Sequence, residues 1–539
     1  MSFPMPRILT LLHGLIALSC LLLAPSVSAV AEEARFDILE YVVEGNTVLP
    51  ALVIERAVYP HLGPGRSAAD VDAARSALES AYHDAGYLTV AVEIPAQQVA
   101  GGEVVLKVVE ASVDRLKVSG AQYTLPSQVR EQTPSMATGT VPNFNDIQDD
   151  LGRLGRNADL RINPLLRPGR APGSIEIELA MEDRSPFHGS IELNNKRSLD
   201  TRTGRLEAAA RHDNLWQRRH SLGVNYFVSP QQQDDVSVWG LTYALPLGEG
   251  TLAAFFARSD SDVQTTLGTQ SIGKGDTAGL RWIRPLPLGL RSGFFHSLSA
   301  GVDWKNNRQD TVLADGEYRL AQPVRYTTLV AQYSAGGAGE THEWRAGAGV
   351  TLGLNPLTRR EMNCSGVRLE QFECRRSDAD ANFAAFRFDL GLRWAPAPGW
   401  TLDARSDLQV AGGRLINTEQ FSAGGMDSVR GYLEGERAAD NGLRVAVDML
   451  APAWYPLAAL PVRGLVFYDW AKLRNHGPLV AGEIDEVVLA SAGVGLRLGE
   501  STGLSGELLF ARVFHAGGQG TDNTDDRDRR VVVRMKYAF

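Results

Sequence analysis

The residues best placed to do chemistry in this chain are ionic rather than catalytic. Arg430 stands in Met426-Asp427-Ser428-Val429-Arg430-Gly431-Tyr432, with Gly424 and Gly425 before it and Gly435 after. Glycines supply backbone freedom, so the segment can fold back as a loop that holds the arginine toward a partner. A candidate partner lies in Phe467-Tyr468-Asp469, where strand alternation puts Phe467 and Asp469 on one face. An inward Asp469 would accept a charge-assisted, bidentate contact from Arg430. Taken alone, an Arg-Gly-Tyr triplet reads better as an ordinary surface loop, and it is the surrounding chain that reverses the preference.

Cys364 and Cys374 lie in a polar stretch and are expected to pair as a local disulfide if the chain is exported. A metal or redox site there lacks histidines at useful spacing, and no metal or other cofactor is expected. Gly499-Glu500-Ser501-Thr502-Gly503 matches the G-x-S-x-G nucleophile pattern, but it joins two strands where a hydrolase elbow needs a strand leading into a helix. No P-loop, H-E-x-x-H or dinucleotide fingerprint occurs. An enzyme is the weakest class of function for this sequence.

Export is indicated by residues 1–31. Arg7 precedes an apolar run from Ile8 to Leu23, and Val27-Ser28-Ala29-Val30-Ala31 offers small-residue cleavage sites. Cys20, followed by Leu21, Leu22 and Leu23, is expected to be discarded with this signal peptide. The net charge of −9 argues against nucleic acid as a partner.

From Phe36 the elements read as a small β-α-α-β-β unit. Ile38 to Val43 is a β-rich run, Ala51 to Tyr59 a short helix stopped by Pro60, and Ser67 with Asp70 opens a second helix. Val71, Ala74, Leu78, Ala81, Tyr82 and Ala85 keep helical spacing up to Gly86, and strands Tyr87 to Ile94 and Glu103 to Val109 follow. The order repeats with strand Val113 to Val118, helices near Pro126 to Glu131 and around Phe144 to Leu154, and strands Arg161 to Leu166 and Ser174 to Glu182. Residues 36–110 and 111–184 are thus two tandem α+β units. Each resembles a POTRA (polypeptide-transport-associated) domain, whose edge strand and neighbouring helix can accept an extended polypeptide. Two plain spacers would show the same pattern.

After Pro186 helical periodicity stops and alternation takes over. Phe386, Phe388, Leu390, Leu392 and Trp394 oppose Arg387, Asp389, Gly391 and Arg393. Leu443 to Met449, Leu222 to Val228 and Val531 to Phe539 alternate likewise, one face suited to lipid and the other to water. Sixteen such segments, an even number, fit into residues 186–539, at roughly 22 residues per strand plus connection against the ~9–11 a tilted strand needs to cross a bilayer. Short connections such as Pro246-Leu247-Gly248-Glu249-Gly250 alternate with long ones near residues 355–381, 415–440 and 515–529. The expected fold is therefore mainly β: a 16-stranded transmembrane antiparallel β-barrel preceded by two periplasmic α+β domains.

Two POTRA-like units, sixteen alternating segments, Val429-Arg430-Gly431-Tyr432, Phe467-x-Asp469 and a terminal Phe539 together resemble the two-partner secretion transporters (TpsB), the haemolysin and filamentous-haemagglutinin secretion/activation proteins. The resemblance implies an outer-membrane pore that exports an unfolded partner exoprotein, adhesin- or haemolysin-like, recruited at the POTRA domains. It implies that Val429, Arg430, Gly431 and Tyr432 tuck into the lumen, with Arg430 on Asp469 of the barrel wall. Tyr537 and Phe539 would serve as the C-terminal signal for the barrel assembly machinery, and outer-membrane lipid would surround the wall. Only a few residues separate the expected cleavage from Phe36, which leaves little room for a plug helix. The alternatives are an outer-membrane protein insertase of the BamA/TamA kind and a passive diffusion porin, the latter having no use for POTRA domains.

Overall fold

The computed structural model describes residues 34–539 apart from 100, 156, 200, 234, 261–264, 268–269, 273, 287–293, 309–322, 365, 458–459, 478, 480–482, 484, 500–502 and 519–522. The expected signal peptide with Cys20, and Ser501 of the G-x-S-x-G match, lie outside the described residues. The chain falls into two compact units. One runs up to Lys117 and takes in Thr133–Gly152 and Pro164–Glu178, and the other holds Val118–Gln132, Arg153–Asn163 and Leu179–Phe539.

In the first unit, Glu40–Glu44 runs parallel to Glu103–Glu110, and Val90–Glu93 pairs antiparallel on the other side. Helices Ala51–Val58 and Ala68–Asp84 accompany this three-stranded sheet. The longer helix starts where Asp70 accepts bonds from the backbone N–H and the hydroxyl of Ser67, which hold the Asp70 carboxyl below its usual range. Val71, Ala74, Leu78 and Tyr82 are buried along one stripe, as their spacing requires.

Two boundaries differ from the sequence expectation. Phe36–Ile38 leaves the sheet to pair with Gly63–Arg66. The strand expected over Tyr87 to Ile94 shrinks to Val90–Glu93, because Tyr87 N–H bonds Tyr82 O and Val90 N–H bonds Tyr87 O, which turns the backbone off the ladder. The following segment repeats the layout, with Ser112–Ser119, Ser174–Asp183 and Leu160–Pro168 in that sheet order and helices Pro126–Glu131 and Phe144–Leu154.

The rest is a closed antiparallel barrel of sixteen strands, from Phe187–Asn194 to Arg529–Ala538, with a short extra strand, Trp454–Leu457, in one connection. Closure pairs the last strand with the first from Arg534↔Asn194 to Ala538↔Ser190. The fixed register carries the sequence alternation around the whole wall. Phe386, Leu390, Leu392 and Trp394 are exposed on the outside, as are Val531, Val533, Met535, Tyr537 and Phe539. Asp448 pairs with Asp403 and with Phe467, and Arg497 with Arg463 and Glu507, all on the inner face. No helix among the described residues is long and apolar enough to cross a membrane, and the barrel crosses with strands.

Candidate functional site in the barrel lumen

The segment between strands Thr401–Ala411 and Asn441–Leu450 folds back into the lumen. Arg430 is 4% exposed there. Its Nε donates to Asp469 Oδ2 at 2.7 Å, its Nη2 to Asp469 Oδ1 at 2.6 Å, and its backbone N–H to Asp469 Oδ2 at 2.9 Å. Asp469 belongs to the wall strand Leu460–Arg474 and is fully buried. The guanidinium carbon also stands 3.8 Å from the centroid of the Phe467 ring, so both members of Phe467-x-Asp469 grip one side chain, by cation–π attraction and by a planar fork. Burial works against the charge, yet Asp469 and Asp448 hold the Arg430 proton more tightly than in water.

The flanking residues set the loop against the wall. Gly431 has φ of 96° and a Cβ built on it would stand 3.0 Å from Val513 Cγ2, so the position needs glycine both for conformation and for close approach. Val429 is fully buried in an apolar cluster with Tyr432, Ala471, Leu489 and Val513. The Tyr432 hydroxyl donates to His515 O at 2.7 Å and accepts from Ala490 N–H at 3.1 Å. Burial pushes its pKa up to about 12.

Several anchors escaped the sequence reading. Asp448 Oδ1 receives Arg430 Nη2 at 2.5 Å; its inward alternation with Arg444 and Ala446 was the available signal. Asp427 bonds Lys196 Nζ at 2.8 Å and also Arg534, so it touches residues beside the first strand and on the last. Burial works to raise the Asp427 pKa, but these two cations hold it well below the usual range. Glu419, fully buried, meets Lys305 Nζ at 2.5 Å and the Tyr326 hydroxyl at 2.7 Å. For Asp427 and Glu419, partners 93 residues apart or more leave no local pattern to find.

A sequence model of the haemolysin secretion/activation proteins ShlB/FhaC/HecB matches residues 173–498, more than half of the 539-residue chain. The chain belongs to this family. A ShlB-type POTRA domain also matches residues 36–111. The protein is thus an outer-membrane β-barrel transporter of two-partner secretion, with a general secretion-pore role and its POTRA domain in the periplasm. The outer membrane transporter CdiB of Escherichia coli is 26% identical over 447 residues, 78% of this chain and 69% of that protein. The solved structure of CdiB from Escherichia coli superposes with a TM-score of 0.64 at 18% identity, covering 96% of this chain and 93% of that one. CdiB from Acinetobacter baumannii gives 0.58 at 13% identity, covering 95% and 91%. These two superpositions speak for the fold.

Cys364 and Cys374 are joined as a disulfide. Phe539 exchanges both backbone bonds with Gly189, at 2.9 Å each, and its ring lies 6.0 Å from that of Phe187, while Tyr537 pairs with Ile191. One histidine–carboxylate grouping that the sequence did not suggest, Asp159, His188 and Asp213, comes together. Its Asp213 Oδ2 is already bonded by Arg211 Nε at 2.7 Å and its Asp159 Oδ2 by His188 at 2.9 Å. On the first POTRA sheet the edge strand Val90–Glu93 is partly closed. Glu79 of the neighbouring helix accepts from Val92 N–H at 3.0 Å, and the His83 ring meets Val90 O at 3.1 Å. Capping of this kind keeps an exposed edge from pairing with stray strands.

Proposed function

We propose that this transporter exports an unfolded partner exoprotein, adhesin- or haemolysin-like, from periplasm to cell surface, and that the loop carrying Val429-Arg430-Gly431-Tyr432 is the seated obstacle that must yield. The observation supporting it is Arg430, buried in the lumen between Asp469 and Asp448. A loop filling the lumen does not suit passive diffusion. An ion cluster is directional and compact, so the loop can be held in one place and released as a unit. Residues 36–110 and 111–184 serve as two POTRA domains, and 186–539 as the barrel. Recruitment at the first domain adds the cargo to the Val90–Glu93 edge by displacing Glu79 and His83. No cofactor or catalytic group takes part, and folding of the emerging chain outside supplies the drive. Outer-membrane lipid surrounds the outward apolar face, and the barrel assembly machinery reads Tyr537 and Phe539.

The test is a deletion of residues 36–109 with cargo secretion measured at matched barrel abundance. Export should be abolished while the barrel keeps its heat-modifiable migration on detergent gels. Undiminished export would reduce the POTRA domains to spacers.

A further inference from the structure

The periplasmic end of the lumen, where the first strand begins, holds a cavity of 280 Å³ whose lining includes Arg345, Arg393, Arg405 and Arg497. They come from different strands, His342–Gly353, Ala384–Trp394, Thr401–Ala411 and Glu486–Gly499, all at inward positions. In register, Gly391 sits between Arg345 and Arg405. A Cβ there would stand 2.8 Å from Arg345 Nε, so the absence of a side chain lets two guanidiniums face one space.

Their charges are incompletely answered. Three carboxylates line the cavity, Glu343, Asp403 and Asp448. Asp403 is taken up by Arg393 at 2.8 and 3.2 Å. Asp448 gives Oδ1 to Arg430, leaving Oδ2 at 3.4 Å from Arg405 and 3.6 Å from Arg497. Arg497 turns its Nε to Glu507 at 2.7 Å. Arg345 makes no contact ion pair among the described residues, its electrostatic neighbour being Asp389, and the Arg405 side chain keeps 43% of its surface open. Among the lining residues four guanidiniums meet three carboxylates, one of them shared with Arg430, and they face a low-dielectric wall that focuses the field of the cluster.

We propose that this cavity is a receptor for carboxylate side chains of an extended polypeptide entering the lumen, with Arg345 and Arg405 as the principal binding residues. Two guanidinium forks converging on one space match the planar, two-oxygen carboxylate better than any neutral group. The source of the carboxylate rests on the export reading; the anion site itself does not. A bound acidic side chain would sit one carboxylate, Asp448, away from the Arg430 seat.

The experiment uses the full chain in detergent at low salt and a fluorescein-labelled peptide of alternating glutamate and glycine, read by anisotropy. A glutamine–glycine peptide is the neutral control and inorganic sulfate the free-anion arm. The acidic peptide should bind, the neutral one should not, and Arg345→Gln should weaken binding by roughly tenfold, the loss of one charge-assisted contact. Arg345→Gln breaks no contact ion pair, so heat-modifiable migration should be unchanged; adding Arg405→Gln should weaken binding further. Equal binding of the two peptides, unaltered affinity in both variants, or sulfate binding without acidic-peptide binding would each overturn the proposal. Because no export is measured, failure of peptide binding leaves the export reading standing, and failure of the 36–109 deletion test leaves this anion site standing.

Discussion

Asp448 Oδ1 lies 2.5 Å from Arg430 Nη2, so the guanidinium that Asp469 grips through Nε and Nη2 is shared with a second wall strand. Arg430 therefore bridges two buried carboxylates, 1% and 0% exposed, of which Asp448 also has Arg405 and Arg497 at 3.4 and 3.6 Å. That asymmetry decides how substitutions should behave.

Arg430→Ala leaves the buried Asp469 without its cation, while Asp448 keeps Arg405 and Arg497 near its other oxygen, and should destabilise the loop seat by about 3–5 kcal/mol. Asp469→Ala leaves the guanidinium with Asp448 and the Phe467 ring and should cost less. The double variant should fall well short of additivity, since both act through one contact. Arg430→Lys should restore the seat only in part, lacking the planar fork. Limited proteolysis within 423–436, with secreted cargo at matched barrel abundance, reads all four; additive losses would remove the contact from the mechanism.

Gly431→Ala should unseat the loop. The new Cβ would meet Val513 Cγ2 at 3.0 Å and Ala511 Cβ at 3.2 Å at a φ of 96°, a combined strain of about 1–3 kcal/mol. Gly413→Ala in the same connection meets nothing within 4 Å and is the control. Equal protease protection of the two variants would contradict this account.

Glu434 makes the seat pH-dependent. Burial pushes its pKa up to about 7, with Lys196 pulling down and Asp427 pushing up. A carboxyl raised in the folded state binds more protons than in the unfolded chain between the ordinary value, about 4.5, and 7. Its stabilising effect is thus complete below that range and is lost as pH rises through 7. Protection factors over 423–436, with the base-catalysed intrinsic exchange rate divided out, should be higher at pH 5.5 than at pH 8, and Glu434→Gln should flatten the difference. An unchanged pH profile in that variant would count against Glu434.

The Cys364–Cys374 bond closes a ring of sequence separation 10, which by loop entropy contributes about 2–3 kcal/mol locally. Reduction should loosen this connection and leave the barrel folded on detergent gels. Loss of heat-modifiable migration on reduction would show the bond supports more than its own connection.

Glu79→Ala frees Val92 N–H on the first POTRA edge. If cargo adds to this edge, a cargo fragment should bind this variant more tightly, because the displacement cost is gone. Weaker or equal binding on titration calorimetry would place recruitment elsewhere.

Alternation and spacing by themselves determined most of the architecture. Side chains that must face lipid on one side and water on the other write a period of two into each strand, and the alternating segments at Leu222, Phe386, Leu443 and Val531 fall on observed strands of a sixteen-stranded barrel. The helix of the first domain was equally legible in Ser67, Asp70 and the stripe ending at Tyr82. Arg430 and Asp469 were legible as types on the right faces, and the tertiary structure supplied the geometry between them. The Asp427 contacts to Lys196 and Arg534, the Glu419 contacts and the arginine cavity were decided by closure of the barrel. Closure brings inward residues from strands far apart in sequence to one point, and neither period nor local spacing records which of them will meet.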